Sequence, residues 1–76
     1  MSKGYWILVR EVTEDYFTGL SDDAPMFSTR EEEALVYDDK TRKRMREDAA
    51  ICGKLNYPVK VIPISEKIAL RRRNRA

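Results

Sequence analysis

Apolar positions come in short bursts along the chain, and each change in their spacing marks an element. Tyr5 to Val12 (YWILVREV) is a β-branched and aromatic run with neither Pro nor Gly, which predicts a strand. Strand periodicity puts Tyr5, Ile7 and Val9 on one side and Trp6, Leu8 and Val12, with Arg10, on the other, so both faces are expected to be partly covered. Thr13-Glu14-Asp15 interrupts the run before a second one, Tyr16 to Leu20, and the two read as an antiparallel hairpin with Gly19 marking a bulge. Ser21 to Pro25 is expected to be a loop, because Ser and Asp bond locally to the backbone and Pro25 biases Ala24 away from helix.

Met26 and Phe27 supply apolar anchors ahead of a helix-start signal. Thr29 with Glu32, or Ser28 with Glu31, has capping-box spacing, and Glu31-Glu32-Glu33 suits the positive end of a short helix. Leu35-Val36-Tyr37 reads as a short strand, and Asp38-Asp39 as the cap of a main helix from about Lys40 to Leu55. That helix carries Met45, Ala49 and Cys52 at i, i+4, i+7, flanked by Ala50, Ile51 and Leu55, with Gly53 fraying or ending it. Asn56-Tyr57-Pro58 turns the chain into a last strand, Val59 to Ile64, which Pro63 assigns to a sheet edge or ends there. Ser65 to Leu70 fits one more helical turn. The expected fold is α+β: a small antiparallel sheet of three to four strands with one main helix packed on one face. Residues 1–70 form a single compact domain in this reading, and 71–76 a mobile basic tail.

Composition narrows the chemistry. With 76 residues the core is shallow, and a homodimer would relieve that limit. There is no His and a single Cys, so neither an intramolecular disulfide nor a zinc or haem site is expected, and a reducing, cytoplasmic setting follows. The N-terminal run has neither a signal-peptide core nor the length of a membrane helix, so no membrane association is expected. An enzyme would need a carboxylate or Lys base shifted by burial, or an accessible Cys52 thiol, whereas Cys52 falls on the apolar face of the main helix. Asp22-Asp23, Glu31-Glu32-Glu33 and Asp38-Asp39 lack the spacing of a calcium loop, and Gly4, Gly19 and Gly53 are too scattered for a phosphate loop. No catalytic residue, metal or cofactor is expected, and the reading is a binding module.

Charge carries what functional signal there is. Residues 1–40 hold four bases against ten acids, a net −6, and residues 41–76 hold eleven bases against three acids, a net +8. Either the halves fold together and neutralise each other, or they present a dipolar surface that steers partners. Arg42, Lys43, Arg44 and Arg46 crowd the start of the main helix, where cations oppose the helix dipole; Lys43 with Glu47 and Arg44 with Asp48 offer partial relief at i, i+4. Arg71, Arg72, Arg73 and Arg75 form a second basic group without nearby acids. Both groups are candidate contacts for a partner carrying negative charge, either an acidic protein surface or nucleic acid phosphates. The alternative contact is the acidic side, Asp22, Asp23, Glu31 and Glu32, standing in for phosphates in a nucleic-acid-binding groove.

Tyr5 to Leu20, Ser21-Asp22-Asp23-Ala24-Pro25-Met26-Phe27-Ser28-Thr29, Glu33-Ala34 and Tyr37-Asp38-Asp39 together make a pattern. It resembles that of small accessory proteins encoded by bacteriophages and prophages: a Y-F-x-G-F/L-S strand end, a Pro-x-Phe-Thr segment, an E-A-x-x-F/Y-D segment, a helix and a Val-rich strand. The likeness spans about residues 5 to 64 and brings no catalytic residues with it. It implies a non-enzymatic inhibitor of a host protein or nucleoprotein complex, such as an anti-CRISPR or other anti-defence factor. The Arg-rich helix start and tail depart from that pattern and mark where a specific partner would bind. A direct nucleic-acid-binding regulator using the same arginines is the alternative.

Overall fold

The computed structural model describes residues 4–73. The elements are β1 (Tyr5–Arg10), β2 (Tyr16–Ser21), β3 (Ala24–Ser28), a 3-10 turn (Glu31–Glu33), α1 (Arg42–Lys54), β4 (Val59–Ile64) and α2 (Glu66–Arg73). The strands form one antiparallel sheet in the order β3-β2-β1-β4, so the α+β expectation holds with four strands. β4 lies at an edge, where an imino acid costs no ladder hydrogen bond.

The alternation along β1 divides the core in two. Leu8 joins Phe17, Tyr37, Met45 and Cys52 under α1, with Trp6, Phe27, Leu35, Ala49 and Val59 packed around them. Ile7 and Val9 face the other way onto Ala34, with Tyr16, Val36, Ile62 and Ile64. Val12 belongs to neither, because β1 ends at Arg10 and leaves it 79% exposed in the turn.

β3 departs from the expected loop. The hairpin needs only Asp22 and Asp23 as central residues, at φ 50° and 64°, between the paired Ser21 and Ala24. Short polar side chains tolerate the left-handed region, so this pair builds a tight turn where a longer loop was expected. The β2–β3 register shifts between Phe17 and Gly19, the bulge marked by Gly19, whose φ of 145° favours glycine.

The first helix signal is also spent differently. Ser28 Oγ donates to Glu33 at 2.6 Å and accepts the Arg30 N–H at 3.1 Å, so neither expected capping box forms and a single 3-10 turn results. The chain then returns between β1 and β2, which pair directly at Val9 and Tyr16. Leu35 donates to the Phe17 carbonyl at 2.9 Å, and Trp6 and Tyr37 exchange main-chain bonds of 2.9 and 2.8 Å. The expected short strand is thus an isolated bridge that fills a gap in the sheet.

Asp38 braces the turn into α1 rather than the helix itself. Its Oδ1 accepts the Lys40 and Thr41 N–H groups, both at 3.0 Å, while Thr41 Oγ1 accepts the Asp38 N–H at 2.8 Å. The helix starts one step later, at Arg42. At its other end Asn56, at φ 67°, donates to the Gly53 carbonyl, and Tyr57 donates to that of Cys52, the paired bonds of a Schellman stop. Gly53 is therefore helical, and Asn56 ends α1. α2 continues through Arg73, so the backbone of Arg71, Arg72 and Arg73 is helical where a tail was expected; Arg75 lies outside the described residues.

Cys52 is fully buried, and burial pushes its thiol above the ordinary range, with the Asp48 charge adding to the effect. A disulfide-exchange reagent is expected to leave Cys52 unmodified in the native protein and to modify it fully in denaturant; prompt native labelling would contradict this packing.

Candidate functional site

α1 turns by about 100° per residue, which separates its buried and exposed sides. Met45, Asp48 and Cys52 are buried. Arg42 and Arg46 stand one turn apart on one flank with Lys43 beside them, and all three are exposed. Arg44, also exposed, leans to the opposite flank, where its charge favours ionisation of Tyr37. The four basic residues thus divide into a group of three and one apart. The first turn of α1 contains no acid, and Thr41 makes no side-chain bond to its amides.

Trp6 anchors that flank. The Arg42 guanidinium lies over its indole, 5.1 Å from the ring centroid, close enough for a cation–π contact. Gly4 makes room for the ring, since a Cβ there would run into the six-membered ring of the indole. Gly4→Ala is expected to displace Trp6 and shift its fluorescence emission to longer wavelength; an unchanged spectrum would show that Gly4 does not seat the ring. Across the sheet Trp6 faces Pro63, and Leu8 faces Val61.

The acids are spread through the fold: Asp38 and Asp39 directly precede α1, Glu47 is exposed on it, and others lie at the far end of the sheet and at the hairpin tip. Glu11, Glu14 and Asp15 occupy the β1–β2 turn, at the end of β1 remote from Trp6, and Asp15 is 4.0 Å from the Arg10 guanidinium. Asp22 and Asp23 precede β3 while Glu31 and Glu32 follow it, so the length of that strand, about 3.3 Å per residue, separates the two pairs. They do not make one acidic face. Arg71 is exposed on α2.

Three interactions gave no signal in the sequence. Arg10 is held between aromatic rings, 5.3 Å from the Phe27 centroid and 4.8 Å from that of Tyr57, and its buried Nε has no hydrogen-bond partner. Asp48 turns inward and accepts the Tyr37 hydroxyl at 2.6 Å instead of serving an exposed pair with Arg44. Burial, then this hydrogen bond and the Asp48 charge, hold the phenol protonated well above its ordinary range. The third is the close approach of Gly4 to Trp6. Each joins residues through tertiary packing that local spacing does not encode.

Among the described residues no cluster of three or more His, Cys, Asp or Glu could hold a metal ion, and no helix is long and apolar enough to cross a membrane. Comparisons with protein-family models, curated proteins and solved structures find no match.

Proposed function

We propose that this chain is a small, non-enzymatic, phage-type binding protein that inhibits a host protein or nucleoprotein complex by seating the Arg42–Lys43–Arg46 flank of α1 on an anionic surface. One observation carries the reading: four exposed cations, three of them on one flank, open a helix whose first turn has neither an acid nor a side-chain cap. Near the positive end of the dipole a charge in the first turn costs about 0.3–1 kcal/mol at low salt, a cost that the contact with Trp6 partly offsets at Arg42 alone of the three. An anionic partner reverses that sign, because it meets side-chain cations and helix dipole together. Trp6 adds an aromatic platform that fixes one of the three guanidinium or ammonium groups.

Capture from a bacterial lysate, compared with the R42E/K43E/R46E variant and with generic duplex DNA and RNA at about 50 and 200 mM salt, tests the proposal. The expected result is a protein or nucleoprotein partner held by the native chain, lost by the variant, with no binding to generic duplexes at the lower salt. Capture unaffected by the reversal would overturn the assignment. Duplex binding that weakens about 40-fold between the two salts, as three phosphate contacts require, would replace it with a nucleic-acid-binding regulator.

A further inference from the structure

The outer edge of β4 lies beside this cationic flank, and its hydrogen-bonding groups can be assigned from the register. Trp6 exchanges main-chain bonds with Tyr37, while Arg10 donates to the Asp15 carbonyl and accepts the Glu14 N–H. The main chain at both residues therefore points away from β4, and by alternation so does that of Leu8. Their partners in β4 are Pro63, Val61 and Val59, which correspondingly turn outward. Lys60, Ile62 and Ile64 bond to β1. Val59 and Val61 thus keep N–H and C=O groups directed outward, Pro63 keeps only its C=O, and none has a main-chain partner among the described residues.

Side chains on this edge complete the surface. Val59 packs against the cluster under α1, so Val61 and Pro63, two and four residues on, project to the same face. Val61 is 46% exposed there and Pro63 is exposed too. Arg42 is fixed above Trp6 on that face, with Arg46 one turn further along the helix. Unpaired strand groups, an apolar strip and two cations converge.

Resting on the binding function proposed above, we infer that the partner element seated here is an extended acidic peptide segment that joins the sheet as a fifth strand along β4. Main-chain bonds to Val59 and Val61 would hold it, with carboxylates reaching Arg42 and Arg46. Charge decides against a second copy as occupant. Two β4 edges paired antiparallel would bring two α1 helices onto one face with their Arg42 and Arg46 flanks turned toward each other, and would draw the two Lys60 side chains together. A nucleic-acid duplex has no extended strand to offer to Val59 and Val61.

The test is amide hydrogen exchange of the full chain by NMR, alone and with a capped octapeptide alternating glutamate and valine, a lysine-for-glutamate version serving as control. In the free protein Val59 and Val61 are expected to exchange nearly unprotected, while Lys60, Ile62 and Ile64 are slow. The acidic peptide, and not its lysine counterpart, should slow Val59 and Val61 by about tenfold or more. V61P removes the central outward donor at a register that already accepts Pro63 and should weaken peptide binding by about tenfold. If the peptide binds, is lost with R42E/R46E, and yet leaves Val59 and Val61 unprotected, strand addition is wrong while the cationic site stands. Peptide binding unaffected by R42E/R46E, or none at millimolar concentration, overturns both. Protection of these amides that grows with protein concentration in the absence of peptide would make a second copy the occupant and overturn the inference.

Discussion

Phe17→Ala is expected to destabilise the domain by about 3–5 kcal/mol, the range for truncating a fully buried aromatic. A chain of this length has a total stability of about 4–11 kcal/mol, so the variant should be marginal or unfolded at room temperature. Phe17 is inaccessible to solvent, and its ring meets that of Phe27 edge to face at a centroid distance of 5.9 Å. Its carbonyl also accepts the Leu35 N–H that draws the returning chain into the gap between β1 and β2. Phe27 in turn supports Arg10 and Tyr57, so the cavity would loosen the aromatic cluster at the end of α1 as well. Urea unfolding followed by circular dichroism measures the loss. A change below about 1 kcal/mol would show that the core does not depend on this side chain.

The Tyr37–Asp48 bond should govern behaviour in alkali. Tyr37 is 1% exposed, and its proton is held above the ordinary phenol range by burial first and by Asp48 second. A phenol in the unfolded chain ionises near pH 10, so below that pH both states carry the proton and the full stabilisation is present. Above it the unfolded state loses the proton and the native state does not, and stability falls by up to about 1.4 kcal/mol per pH unit from this group. The raised Cys52 thiol acts with the same sign from the ordinary thiol range upward. Tyr37→Phe should flatten the part of the slope above pH 10 and, by leaving a buried carboxylate without its donor, lower stability near neutrality by about 1–3 kcal/mol. Unfolding free energies measured between pH 7 and 11 decide the point; equal slopes for native and variant protein would mean that Tyr37 ionises without restraint in the folded state.

Where local chemistry determines local structure, the sequence was readable. The β1–β2 hairpin, the Gly19 bulge, the main helix, the edge position of the strand with Pro63 and the burial of Cys52 all follow from spacing and side-chain type. The fold departs from local expectation where two local rules compete. Asp22-Asp23 suits a loop as well as a two-residue turn, and only pairing with β2 selects the turn and thereby β3. Ser28 has the spacing of a cap, but Glu33 is near enough to take its hydroxyl. Gly53 is the weakest helix former near the end of α1, yet Asn56 provides the left-handed residue that stops it. The basic flank was visible as a run of residues, whereas its separation from Arg44 required the helix phase, and its alignment with Trp6 and β4 required the fold. Asp48 illustrates the limit: at i+4 from Arg44 it looks like an exposed partner, and only the position of Tyr37 turns it inward.

If the first turns of α1 are shaped for a partner and not for folding, then R42E/K43E/R46E must move stability and binding in opposite directions. Acids near the N-terminal end favour the dipole and should outweigh the lost stacking of Arg42 on Trp6, raising unfolding stability by on the order of 1 kcal/mol. Urea unfolding and partner capture measured on the same preparation test this most directly. The account predicts a higher unfolding midpoint with capture abolished; a lower midpoint with capture retained would make these residues part of the scaffold and contradict it.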